Sequence, residues 1–312
     1  MMNGVIVIDK PAGKTSHDVV GMVKKILKVK KAGHTGTLDP LATGVLPVCL
    51  NEATKLAGFL TGERKEYRAT MLLGVKTDTL DVQGKVVGRF DGIKTEEEIK
   101  AALSRKIGRI RQVPPSFSAI KYHGKPLYKW ARRGIMLEAL PREVEIQSLV
   151  VERISYPEVT FRVTCSKGTY IRSLCADVGE ELGCGACLSG LRRLKSGCFS
   201  EDMAVKLESA DLAGKTEEMT AKIRPMAELL PLLKTIEVDE DFADKVRDGF
   251  QPSVKAIKGH VLPFLDPGDM VKFVTGDGCL VALAEMTVAV NNFSNGDENR
   301  QAAKIVRVFK NA

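Results

Sequence analysis

Segments with a two-residue apolar period and segments with a helical period follow one another along this chain, but not in the strict strand–helix–strand order of a parallel α/β sheet. "GVIVIDK" reads as a strand stopped by Pro11 and Gly13, and Ser16 reads as the cap of a helix with Val19, Val20, Val23, Ile26 and Leu27 on one face. "GVLPVCL" has the look of a buried strand; "KEYRATMLLG" puts Tyr67, Ala69, Met71 and Leu73 on one side, as a half-buried strand would. "TDTLDVQG" is a turn. Thr95 and Glu98 make a capping box for a helix through "EEEIKAALSRK", "VEIQSLVVERI" and "VTFRVTCS" are two more strands, and "GTYIRSLCADVGEEL" is helical. The irregular order predicts an α+β body on a mixed or antiparallel sheet. Near residue 230 the texture changes to short strand signals broken by "RDGFQP", "DPGD" and "TGDG", the pattern of a small β-barrel module, in which "TVAVNNFSNGDENRQ" reads as a solvated loop. Two domains are expected, 1–232 and 233–312.

The formal net charge of +8 favours a polyanionic partner, either nucleic acid or an anionic membrane surface, and also fits a basic enzyme that has neither. The opening "MMNGVIVIDKPAG" lacks the basic and apolar regions of a secretory signal, and no apolar run approaches the roughly 18 residues of a membrane span. Seven cysteines, an odd number, fit buried thiols in a reducing compartment. A cytoplasmic protein with no membrane partner is therefore expected. "PAGKTS" ends like a phosphate-binding loop, but Ile8 stands where that motif needs glycine. The lone CxxC of Cys184 and Cys187 has no second pair at zinc spacing, so core-facing thiols are expected and no metal site.

The most unusual stretch is "GHTGTLDPLATG", Gly33 to Gly44, which holds one carboxylate among glycine, threonine, proline and small apolar residues. Pro40 fixes its own φ and restricts Asp39, so backbone geometry aims that carboxylate; Asp before Pro is equally a common turn former. From spacing alone Arg172 is an ordinary surface helix arginine, Tyr67 a core aromatic or a stacking surface, and Tyr170 a pocket wall or core ring. His34 is a general base, a ligand or a structural histidine. Between Lys121 and Arg142 the basic residues Lys121, Lys125, Lys129, Arg132, Arg133 and Arg142 face one acid, Glu138, and interleave with Tyr122, Tyr128 and Trp130. That is phosphate-contact and stacking chemistry, or a solvated basic face. A metal-dependent nuclease would need clustered carboxylates; Asp78 and Asp81 are the only tempting pair and read as a polar turn.

The glycine-rich stretch resembles the signature of the TruB-type tRNA pseudouridine synthases. The likeness extends in order through "DKPAGKTSHD", "EYRATMLLGVKTDTLDVQG", "VPPSFSAIKYHGKPLYKWARRG", "CSKGTYIRSL" and "LRRLKSGCF", and more weakly to a C-terminal PUA-like RNA-binding domain. It implies a pseudouridine synthase catalytic domain that isomerises uridine at tRNA position 55, in the T arm, without cofactor, metal or guide RNA, as a monomer. It implies Asp39 as the catalytic carboxylate, acting at C1′ or through a glycal-like intermediate, with Arg172 as its cation and Tyr67 stacking on the flipped base. It further implies His34 against the RNA loop, Tyr170 at the pocket, Lys10 and Pro11 supporting the site with Lys10 counted among the RNA-binding residues, and 121–142 as an RNA-gripping insertion. Phe117 stands where many members carry tyrosine, and no catalytic role passes to it. The alternatives are a non-enzymatic tRNA-folding chaperone and a guide-dependent relative.

Overall fold

Strand β1 (Gly4–Lys10) alternates Val5 and Val7 with Ile6 and Ile8 across a sheet covered on both faces, which is why it reads as an unbroken apolar run. Removing each of these four side chains from water contributes about 1.5–3 kcal/mol. The structure is a computed structural model describing residues 2–62, 64–137, 139–207, 212–293 and 298–310; Glu138 and positions 294–297 of the polar loop lie outside them.

Beside β1 runs antiparallel β2 (Thr43–Leu50). The main sheet continues through β3 (Lys65–Leu73), β4 (Gly108–Gln112), β5 (Arg142–Ser155), β6 (Glu158–Cys165), β7 (Ala186–Ser196) and the short β8 (Val205–Lys206). Its spatial order is β8-β1-β2-β7-β3-β6-β5-β4. The β8–β1 and β2–β7 pairs are parallel and the others antiparallel, so the expected mixed sheet is present. The β2–β7 pairing is brief, only Thr43 with Arg192 and Gly44 with Arg193, and there the sheet opens.

One face is covered by helices α1 (Ser16–Ile26), α2 (Glu96–Ser104) and α4 (Ile171–Glu181), which set Val19, Val23, Ile99, Leu103, Leu174 and Val178 against Ile6, Ile8, Leu46, Ala69 and Phe161. A shorter helix, α3 (Leu127–Ala131), lies in the basic segment. Thr95 and Glu98 form the expected capping box on α2. On α1 the cap is Thr15, not Ser16: the spacing to Asp18 closes a capping box with Thr15, and Ser16 becomes the first helical residue with its hydroxyl freed for another contact.

The other face is covered by the C-terminal segment, whose strands β9 (Lys234–Val238), β10 (Met270–Thr275), β11 (Leu280–Met286) and β12 (Ala303–Val308) form a four-stranded sheet in that order. Its inner side packs on helices Glu240–Arg247 and Val254–Lys258. Val274, Leu280, Leu283 and Phe309 pack against Val5, Val7, Val45 and Leu56. The Lys55 ammonium donates to the Val308 carbonyl, and Lys310 N–H donates to the Glu52 carboxylate.

Five cysteines are buried and Cys198 is exposed. Burial pushes the Cys49 thiol up to about 12 and Cys165 and Cys187 to about 11, and raises Cys175 further. Among the described residues no helix is long and apolar enough to cross a membrane.

Candidate active site

The loop from His34 to Thr43 leaves a three-residue strand (Ala32–His34) paired to β2 and re-enters the sheet where β2 and β7 part. Four anchors fix it. Ser16 Oγ accepts from Leu38 N–H at 2.8 Å and lies 3.1 Å from the Leu38 carbonyl, while Gly13 N–H donates to Pro40 O at 2.8 Å. Ala42 N–H closes a turn on Asp39 O at 3.0 Å, and the Lys10 ammonium donates to Ala42 O at 2.6 Å. Gly44 is required: its φ of +96° lies in the left-handed region, and a Cβ there would sit 2.2 Å from the Arg193 carbonyl. A loop of small residues thus presents one partly exposed carboxylate, Asp39, on a fastened backbone.

Arg172 lies in the first turn of α4, whose start is pinned by Gln112: its side-chain amide donates to Tyr170 O at 3.0 Å and its carbonyl accepts from Tyr170 N–H at 2.7 Å. The Arg172 side chain is 4% exposed against 35% for Asp39. Its Nε donates to Asp39 Oδ2 at 2.8 Å, Nη1 to Thr79 O at 2.9 Å and Nη2 to Phe117 O at 2.9 Å. This charge-assisted contact is much stronger than the surface-arginine reading allowed. Asp81 stands 3.9 Å from the same Nε, held by the Thr79 hydroxyl and by Gln83 N–H. The turn expected at 77–84 is present from Asp78 on, but its Asp81 is buried at the site. Phe117 contributes a backbone carbonyl, so its missing hydroxyl does not enter this contact.

Tyr67 is nearly buried on β3, with Val163 and Arg193 as cross-strand partners. Burial raises its phenol pKa, opposed by the charge of Arg193. Tyr170 is half-buried, and burial raises its phenol too. His34 is half-buried, and burial, with Arg193 and His17 behind it, lowers its pKa, which favours a neutral imidazole.

Lys10 does not sit where an RNA-binding residue must. It is 0% exposed, its ammonium donating to Pro11 O, Pro40 O and Ala42 O, so it braces the Asp39 loop from beneath and cannot reach a phosphate. Desolvation lowers its pKa to about 8, with Asp39 opposing. The basic residues Lys121, Lys125, Lys129, Arg132 and Arg133 are exposed on a hairpin (121–126), on α3, which Leu127 and Ala131 anchor, and on the turn after it. Lys125 lies over the Trp130 ring and Arg132 over Tyr128. This segment follows directly on the 113–120 stretch that holds Arg172.

Gln112 and Arg193 escaped the sequence reading, and Ser16 and Asp81 were read there only as a helix cap and part of a polar turn. Only Arg193 left a signal there: adjacent arginines on a strand face opposite sides, so one of the pair in "LRRL" must point inward. Among the described residues no cluster of His, Cys, Asp and Glu could hold a metal ion.

The TruB family pseudouridylate synthase N-terminal domain model matches residues 24–171, and the tRNA pseudouridylate synthase B C-terminal domain model matches 172–231. The chain is 51% identical over 309 residues to the tRNA pseudouridine synthase B of Syntrophus aciditrophicus (strain SB), covering 99% of each. It is 42% identical to the protein of that name from Geobacter sulfurreducens (strain ATCC 51573 / DSM 12127 / PCA), covering 99% of this chain and 100% of the other. Among solved structures it is similar to a chain of a Cbf5-Nop10-Gar1 complex, at a TM-score of 0.72 and 31% identity, over 99% of this chain and 85% of that one.

Proposed function

The chain belongs to the TruB family of pseudouridine synthases and isomerises uridine to pseudouridine in tRNA, and from that premise we propose that Asp39 is the catalytic carboxylate, Arg172 its positioning cation and Tyr67 the ring on which the flipped uracil stacks. The isomerisation breaks the C1′–N1 bond, turns the base, joins C1′ to C5 and releases the C5 proton, with no redox change. One carboxylate at the ribose and a surface that keeps the detached base are the minimum equipment. The observation that carries this reading is the 2.8 Å contact from Arg172 Nε to Asp39 Oδ2, made on a loop with four anchors. It leaves Oδ1 without a protein hydrogen bond among the described residues, for the substrate.

The target is the uridine at position 55 of the T arm. His34 meets the RNA loop, Tyr170 walls the pocket, and Lys121, Lys125, Lys129, Arg132 and Arg133 grip phosphates. Residues 1–232 form the catalytic domain and 233–312 a PUA-like module. The enzyme works as a cytoplasmic monomer without cofactor or guide RNA.

The test is tritium release from a tRNA transcript labelled at uridine C5, comparing wild type with Asp39→Asn. Release near one equivalent per tRNA by wild type and none by the variant is expected. Equal release by both removes Asp39 from the chemistry, and a position-55 transcript mutant that still releases tritium removes that target.

A further inference from the structure

Five lysines, Lys24, Lys25, Lys28, Lys30 and Lys31, stand within eight residues where α1 ends and the chain turns back toward His34, and all five are exposed. No acidic residue and no tyrosine, tryptophan or phenylalanine lies between Asp18 and Asp39. Lysines elsewhere take carboxylates, as Lys55 takes Glu52 and Lys106 takes Glu181; among the described residues none of these five does. Glu52 registers the Lys31 charge, but its carboxylate is already bonded to Lys55 and to Lys310 N–H. The buried cations nearby have work inside the protein: Lys10 holds the catalytic loop, and Arg193 donates from Nε to Val45 O at 2.7 Å and from Nη2 to Gly36 O at 3.1 Å. The exposed five have none. Crowding like charges opposes folding of the segment, and the dipole of α1, which favours Lys24 and Lys25 in its last turn, gives no reason for Lys30 and Lys31.

The backbone that carries these lysines is fixed. Ile26, Leu27 and Val29 are buried in the core, and Lys31 N–H donates to Asn51 Oδ1 at 3.1 Å while its carbonyl accepts from Asn51 N–H at 2.8 Å. The strip begins beside the site, with Lys31 three residues before His34. Helix α1 starts at Ser16, which holds Leu38 of the catalytic loop, and carries Lys24 and Lys25 about 12–14 Å along its axis from that contact. An ammonium is a compact point charge that suits a phosphate and reads no base. Segment 121–133 interleaves its cations with Tyr122, Tyr128 and Trp130, faces on which unstacked bases rest, so it suits a loop. Segment 24–31 offers charge alone, which suits a duplex, where the bases stack inside and the phosphates line the outside.

Resting on the loop grip assigned above to 121–133, we propose that residues 24–31 are a second RNA-binding surface, a phosphate track for a double-stranded stem of the tRNA. The substrate is then held in two ways, by stacking and charge on a loop and by charge alone on a stem. Because a duplex backbone is nearly alike for every sequence, the second hold adds affinity without sequence preference.

The test is filter binding of a tRNA transcript across a range of salt, for wild type, a Lys24→Gln/Lys25→Gln/Lys28→Gln variant and the matching triple arginine variant. Lys28 has a φ of +51° but already carries a side chain there, so glutamine adds no strain. The glutamine variant is expected to reduce the slope of log affinity against log salt by about 2 to 3 and to weaken binding at least about tenfold near 0.1 M salt. The arginine variant keeps the charges and is expected to keep the slope. An unchanged slope with glutamine, or an equal loss with arginine, overturns the proposal. A plain RNA duplex without a target uridine reads the stem directly: its affinity is expected to fall further with the three glutamines than with Lys125→Ala/Arg132→Ala. The reverse order would move the stem to 121–133 and overturn the assignment. Sedimentation with phosphatidylserine-containing vesicles covers the other polyanion; vesicle binding that the glutamines abolish while the tRNA slope stays would put a membrane in place of RNA. Wild type that releases no tritium while the slope still falls would sink the proposed chemistry and leave this surface standing.

Discussion

With Nε on Asp39, Nη1 on Thr79 and Nη2 on Phe117, Arg172 joins three stretches of chain far apart in sequence, and the Asp81 carboxylate 3.9 Å from the same Nε adds a second negative charge beside it. Asp81→Asn keeps the shape of that support and removes its charge, so the guanidinium is freer to swing. Single-turnover rate is expected to fall about tenfold or more with tRNA affinity held, read by tritium release and filter binding; an unchanged rate counts against Asp81. Lys10 makes a prediction in pH. Its folded pKa of about 8 lies below the ordinary 10.5, so between these values the unfolded chain holds a proton that the folded one has lost, and the Lys10 contribution to stability rises with pH across that window. The loop behaves oppositely: above about pH 8 the neutral amine has two donors for three carbonyls and no charge beside Asp39. The single-turnover rate is therefore expected to decline above about pH 8 while the thermal midpoint of wild type gains on that of Lys10→Met. The legible part of the site is also explained at this scale. Asp39 stood out because its loop has nothing else to offer, whereas Lys10 and Arg193, charged residues on strands, read by default as solvent-facing, and only tertiary burial shows what they brace.

Among the elements, the brief β2–β7 pairing decides where chemistry is possible, because a fully zipped sheet would leave the 35–42 loop no gap to enter. Gly44 marks that gap. Gly44→Ala drives a methyl to 2.2 Å from the Arg193 carbonyl in a left-handed conformation, and about 3 kcal/mol of lost stability is expected by urea denaturation; a loss near zero would show that β2 and β7 can part further. Strand β3 was legible outright, its buried Tyr67, Ala69, Met71 and Leu73 keeping the period of two. The start of α1 was misread by one residue, although Thr15 and Asp18 already stand at capping-box spacing. Two neighbouring hydroxyls compete for one cap, and only the contact of Ser16 with Leu38 shows why Thr15 took it.

For the whole molecule, charge is divided unequally. Residues 233–312 carry ten Lys and Arg against twelve Asp and Glu, while the rest carries thirty-seven against twenty-seven. The phosphate grip therefore falls on the catalytic part. Replacing Lys125 and Arg132 by alanine is expected to reduce the slope of log affinity against log salt by about 2, while replacing exposed Lys304 and Arg307 leaves it within error. Equal slope changes would move part of the grip to the C-terminal sheet.

The seven cysteine thiols have a use that has nothing to do with RNA. Cys198 stands in solvent, Cys49 lies in the apolar layer between the main sheet and the C-terminal strands, and Cys165 and Cys175 lie under the helices. The protein thus carries its own tamper seals: which cysteines an alkylating reagent has marked, counted by mass, tells whether a preparation was intact, had lifted its C-terminal layer, or had lost its helical face.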